Sequence, residues 1–123
     1  VRLHLDPSFN AADPQDVAAT QRLEEMRARQ ARNDLVVALR YPEVRRVLWR
    51  VLEQANVFDD IWTPDALALA HRTGRQSVGR FLWAAIDDVD EAAVMAMRAD
   101  ARARIRQLLA EADSMRTPAT EEE

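Results

Sequence analysis

Glycine is almost absent from this chain. Its 123 residues hold two, Gly74 and Gly79, and both lie in the stretch GRQSVGRF, residues 74–81. Sheet-rich folds turn often and rely on glycine for the left-handed backbone of tight turns. A chain this poor in glycine and rich in alanine is steered toward helices joined by a few capped turns. Hydrophobic residues make up 48%, enough for a packed core. The length suits one compact domain and is short for two. The expected fold class is all-α: a single small helical domain of about four main helices.

The two glycines also raise a chemical question. Their spacing, with Arg80 after the second, approaches the phosphate loop G-x-x-x-x-G-K-[ST]. That loop needs a strand before it, so that backbone N–H groups point at the phosphates. Here the preceding residues, TPDALALAHRT, have helical character. Arg80 replaces the lysine, and Phe81 replaces the hydroxyl that would hold Mg²⁺. Nucleotide binding is therefore not expected. A helical reading gives the glycines a packing role: Gly74 would let another helix approach, and Gly79 would admit a bulky neighbour such as Trp49 or Trp62.

Stop and start signals divide the chain. Residues 1–12 read as an extended arm, with Leu3, Leu5 and Phe9 as apolar anchors. Asp13-Pro14 is a helix start, with aspartate as N-cap and proline at the first helical position. That helix is expected to run to about Asn33 with a thin apolar stripe of Val17, Leu23 and Met26. A short helix from Leu35 to Arg40 follows, ended by Tyr41-Pro42. Val44, Val47, Leu48, Val51, Leu52 and Ala55 then show the cleanest amphipathic spacing in the chain. Asn56 is placed to end that helix in a left-handed cap.

Thr63-Pro64-Asp65 starts the next helix, whose face of Leu67, Ala70, Gly74, Val78, Phe81, Leu82 and Ala85 runs to about Ile86. Leu48, Val51, Leu52, Phe81 and Leu82 are the expected core. Asp90 caps a last helix, Glu91 to about Met115, with the stripe Val94, Met97, Ala101, Ile105, Leu108, Ala112 and Met115. The helical domain thus spans 13–116, and 117–123 form an acidic tail.

Composition narrows the chemistry. Cysteine is absent, which excludes disulfides and thiolate metal sites. The apolar runs are too short to span a membrane. The chain opens on Val1 without a basic and apolar leader, so removal of an initiator methionine and no secretory signal are the expectation. All 17 basic residues are arginine, within a net charge of −4. Two histidines, His4 and His71, support neither a metal site nor a catalytic triad, so no catalytic, metal or cofactor-binding residue is expected and the protein is read as non-enzymatic. The acidic clusters Asp59, Asp60, Asp65 and Asp87, Asp88, Asp90, Glu91 sit at helix starts, where carboxylates cap and meet the helix dipole.

Two sets of residues remain as candidates for binding. Leu3, Leu5, Phe9, Val17, Leu23 and Met26 form an apolar set too sparse for a core and suited to a partner protein. Arg45, Arg46 and Arg50, with Arg98, Arg102 and Arg106, could contact phosphates or an acidic surface. An acidic chain favours a solvated face for these arginines over a nucleic-acid site. Ala55 to Pro64 is also too long a link for a helix-turn-helix.

RRVLWRVLEQANVF (45–58), HRTGRQSVGRFLWAAI (71–86) and VMAMRADAR (94–102) together resemble a small protein family of tailed, mostly short-tailed, bacteriophages, encoded among the head genes. Its pattern is a basic, apolar, Trp-Arg helix ending in a Gly/Asn-Val-Phe turn, then a G-R-[RQ]-[SN]-V-G helix, an acidic turn and a helix with paired methionines. Asn56 stands where glycine is common. The resemblance covers Arg45 to Arg102 and supplies no catalytic residues. It implies a virion structural or assembly protein that binds other phage virion proteins: portal, capsid or tail components of the head or head–tail region. Homo-oligomers are left open and no membrane is involved. The location implied is the virion, and the host cytoplasm during assembly. The alternative is a small phage nucleic-acid-binding or regulatory protein.

Overall fold

The computed structural model describes residues 10–116. They form four helices, α1 (Pro14–Ala38), α2 (Pro42–Gln54), α3 (Ala66–Val89) and α4 (Ala93–Arg116), and no strand occurs among the described residues. The fold is all-α, as the scarcity of glycine requires. The arm anchors Leu3, Leu5 and Phe9 and the acidic tail fall outside the described residues.

The helix starts follow the sequence signals. The Asp13 carboxylate accepts the Gln15 N–H at 2.9 Å, and Pro14 takes the first helical position. Asp65 caps α3 by accepting from Leu67 and Ala68 N–H. Pro42 opens α2 without a side-chain cap. One boundary differs: α1 does not stop at Asn33 but continues to Ala38, absorbing the separate short helix. Asn33 and Asp34 can cap a helix but do not forbid its continuation; only Tyr41-Pro42 does. The last helix also begins two residues late, at Ala93 and not at Glu91. Asp90 closes α3 in an extended conformation, its carboxylate accepts the Ala92 N–H, and α4 starts at Ala93.

The core is compact and sits where α2, α3 and α4 meet. Leu52, Ala55 and Val57 from the end of α2, Ile86 from α3, and Ala93, Val94 and Met97 from α4 are buried. Leu35 and Leu39 from the end of α1 pack on its edge, with Leu48, Trp49, Phe58, Leu82 and Trp83. Full burial of a side chain such as Leu52 or Ile86 is worth about 1.5–3 kcal/mol.

Several sequence expectations fail here. Of the anticipated core, Leu52 is buried and Leu48 and Leu82 are half-buried, but Val51 and Phe81 are exposed. The stripe of α3 from Leu67 through Val78 to Phe81 faces outward. The helix turns a second register inward instead, with Gln76, Gly79 and Ile86 buried and Trp83 half-buried. The stripe of α4 works only in its first turns: beyond Ala101 every residue to Arg116 is exposed, Ile105, Leu108 and Met115 included. Likewise residues 21–34 of α1 are exposed without exception. Both long helices overhang a core that is shorter than they are.

Candidate functional site

The residues of the GRQSVG stretch act together on the end of α2. That helix ends in a Schellman turn: Asn56 adopts φ 55°, its N–H reaches Glu53 O, and the Val57 N–H reaches Leu52 O. A left-handed residue is needed there, and Asn is the non-glycine residue that tolerates it best. The turn leaves carbonyls without helical partners, and α3 supplies the donors. The Arg75 guanidinium donates to Gln54 O at 2.6 Å. The buried Gln76 amide donates to Asn56 O at 2.8 Å and Asp59 O at 3.2 Å.

Gly79 completes the contact. A Cβ at this position would collide with the side chains of Ala55 and Val57, so the two segments meet only because none is there. The packing roles expected of the glycines are thus corrected. Gly79 takes the small side chains of Ala55 and Val57, whereas Trp62 is exposed and Trp49 packs elsewhere. Gly74 meets none of the described residues, because its stripe faces away from them.

Beside this corner lies an aromatic cluster. Phe58, just after the turn, stacks with Trp49 of α2 at 5.4 Å and tilts against Trp83 of α3 at 4.7 Å. The Arg98 guanidinium of α4 lies 5.2 Å from the Phe58 ring centre, within the range of a cation–π contact.

Packing of α2 on α4 leaves a groove of about 450 Å³ between them. Arg45, Arg46 and Arg50 of α2 and Arg104 of α4 line it, over an apolar floor that includes Trp49, Met97, Ile105 and Leu108. Glu53 and Asp100 share its walls. A smaller cleft of about 280 Å³, beside Phe58, takes Arg98 and Arg102. The fold therefore brings five of the six candidate arginines to the two clefts, and Arg106 lines neither. Two of the five have structural work. Arg45 donates to Leu39 O at 2.6 Å and caps the end of α1, and Arg98 covers Phe58. Arg46, Arg50 and Arg102 are exposed.

Of the apolar candidates, Leu23 and Met26 are exposed on α1 and Val17 is half-buried near its start. The acidic clusters divide by role. Asp65 caps the start of α3, whereas Asp90 is the C-cap of α3 and its carboxylate accepts the Ala92 N–H in the turn before α4. Asp60 accepts the Trp62 N–H in the loop, and Asp88 pairs with Arg32 at 3.1 Å, tying α1 to α3. No group of three or more His, Asp or Glu that could hold a metal ion occurs among the described residues. No helix among them is long and apolar enough to cross a membrane.

The sequence reading missed Gln76 and Arg104. Gln76 had a visible signal, since Gln76, Gly79, Trp83 and Ile86 repeat at three and four residues just as the outward stripe does. Arg104 lies between the Arg102 and Arg106 positions and gave none.

The clamped turn, the glycine that permits it and the first half of α4 form one continuous unit. That unit coincides with what the comparisons found. No curated protein and no solved structure matches the chain. The pattern of the Bbp19-like phage protein family matches residues 38–99, half of the chain, from the end of α1 to the last buried turn of α4. The chain belongs to this family of phage proteins.

Proposed function

We propose that this phage protein is a non-enzymatic structural or assembly component of the virion, acting by binding other virion proteins of the head or head–tail region. One observation carries the reading: two helices extend well past the core they serve. Residues 21–34 of α1 and 102–116 of α4 are exposed throughout, and among them are Leu23, Met26, Ile105, Leu108, Leu109 and Met115. A helix gains most of its stability from packing an amphipathic face, and an isolated stretch of this length is marginal in water. Such overhangs acquire their packing from a partner. The mixed arginine and apolar lining of the α2–α4 groove offers a second contact of the same kind.

No catalytic step enters this reading, because His4 and His71 build no triad and the acidic residues near the turns serve as caps and pairs. Quantitative mass spectrometry of purified particles tests it. A structural component is recovered at a fixed copy number per virion. A protein absent from particles but present in infected cells would point to the alternative, a nucleic-acid-binding or regulatory role using Arg46, Arg50 and Arg102.

A further inference from the structure

The outward stripe of α3 has no counterpart among the described residues. Leu67 is 84% exposed, Val78 67% and Phe81 72%, and Ala70 and Gly74 lie between them on the same face. At roughly 100° per residue the stripe centres on the direction of Gly74. Arg72, Arg75 and Arg80 each point about 100° or more away from that direction, so the stripe itself carries no charge. Gly74 is the anomaly in it. Glycine inside a helix is unfavourable relative to alanine, and none of the described residues lies within 4 Å of where its Cβ would be. Gly79, five residues on, is required by Ala55 and Val57, whereas packing among the described residues makes no use of Gly74. A glycine on an exposed apolar face suits close approach of a second backbone.

The stripe is also symmetric about Gly74. Leu67 and Phe81 each stand seven residues from it, and Ala70 and Val78 each stand four. An isologous two-fold contact requires that if one residue meets a second, the second meets the first. An antiparallel crossing at Gly74 does this: Leu67 faces Phe81, Ala70 faces Val78, and glycine faces glycine. An uncharged face meets its own copy without like-charge repulsion, which the arginine-lined α2–α4 groove could not do. We infer that the occupant of this face is a second copy of the chain, and that the protein forms a two-fold dimer through antiparallel α3 helices crossing at Gly74. The inference does not depend on whether the protein enters particles.

Sedimentation equilibrium of the full chain over a concentration series reads the association. The wild-type chain shows a monomer–dimer equilibrium. Gly74→Leu and Phe81→Glu each weaken it at least tenfold and leave the helical circular dichroism unchanged, since both positions are exposed. The chain has no cysteine, so Gly74→Cys reports on the crossing directly. Mild oxidation converts it to a disulfide-linked dimer, because two α-carbons at the crossing lie within the roughly 4.4–6.8 Å that a disulfide spans. Arg29→Cys, exposed on α1, does not cross-link under the same conditions. A chain that stays monomeric at every concentration overturns the inference and assigns the stripe to a different occupant. A dimer that is indifferent to Gly74→Leu and leaves Gly74→Cys free overturns it too, because the contact then lies elsewhere.

Discussion

The corner where α2 turns into α3 and the far half of α4 draw on the same kinds of residue, arginine, alanine and large aliphatics, but are built on opposite terms. At the corner side chains of α3 meet backbone groups that the end of α2 releases. Carbonyls released by the Asn56 turn are taken by Arg75 and Gln76, and the two segments close to contact over Gly79. Along residues 102–116 every residue is exposed, and Ile105, Leu108 and Leu109 keep 54%, 52% and 62% of their surface in water. The corner is self-sufficient and sets the fold. The overhang has spare apolar surface and no role in the fold. The family match follows this division, covering the corner and stopping at residue 99, before the overhang begins.

The sharpest way to break the comparison is at the core beneath the corner. Leu52 has no exposure at all, so Leu52→Ala is expected to destabilise the protein by about 2–5 kcal/mol. A denaturant titration that moves by less than 0.5 kcal/mol would mean that the corner does not hold the fold.

The next test uses the same substitution at both glycines. Gly79→Ala puts a methyl group into the side chains of Ala55 and Val57 and is expected to cost about 1–3 kcal/mol through overpacking. Gly74→Ala meets open space and removes a helix-interior glycine. Thermal melts at concentrations where the chain is monomeric should show it stabilised, by about 0.5–1 kcal/mol. Opposite signs five residues apart would show that the two glycines face different partners. A loss at both positions would place Gly74 in the core of its own chain.

This pair also shows what the sequence could tell and what it could not. Element boundaries were legible because Asp13-Pro14, Pro42, Asn56 and Asp65 act locally, through capping and fixed backbone angles. The α1 end was misplaced because Asn33 and Asp34 permit a boundary without imposing one. The inward face of α3 was not legible, because that helix carries two regular stripes. Periodicity identifies a face that wants cover but not which chain covers it. Gln76 is buried only because the Asn56 turn, in another segment, presents carbonyls at its level. The arginines were recognised as a set, yet their division between structural work and free surface depends on where α2 and α4 happen to meet.

The smallest effect is expected at the other overhang. Met26 is 64% exposed and Leu23 46%, on a stretch of α1 that is exposed throughout and is tied to α3 through Arg32 and Asp88. Alanine is a better helix former than either residue and removes only solvated side-chain atoms. Surface substitutions of this kind usually change stability by less than about 0.5 kcal/mol. The Leu23→Ala, Met26→Ala double variant should therefore unfold within that margin of wild type in a denaturant titration. The same variant should nevertheless lower the amount of protein recovered in purified particles, because these side chains are what the overhang offers a partner. A loss above 1 kcal/mol would mean that α1 folds back onto its own domain, and the contrast between a self-sufficient corner and waiting ends would fail. Unchanged stability with unchanged incorporation would keep the contrast and move the binding surface to the α2–α4 groove, where Arg46→Ala and Arg50→Ala are the variants to make next.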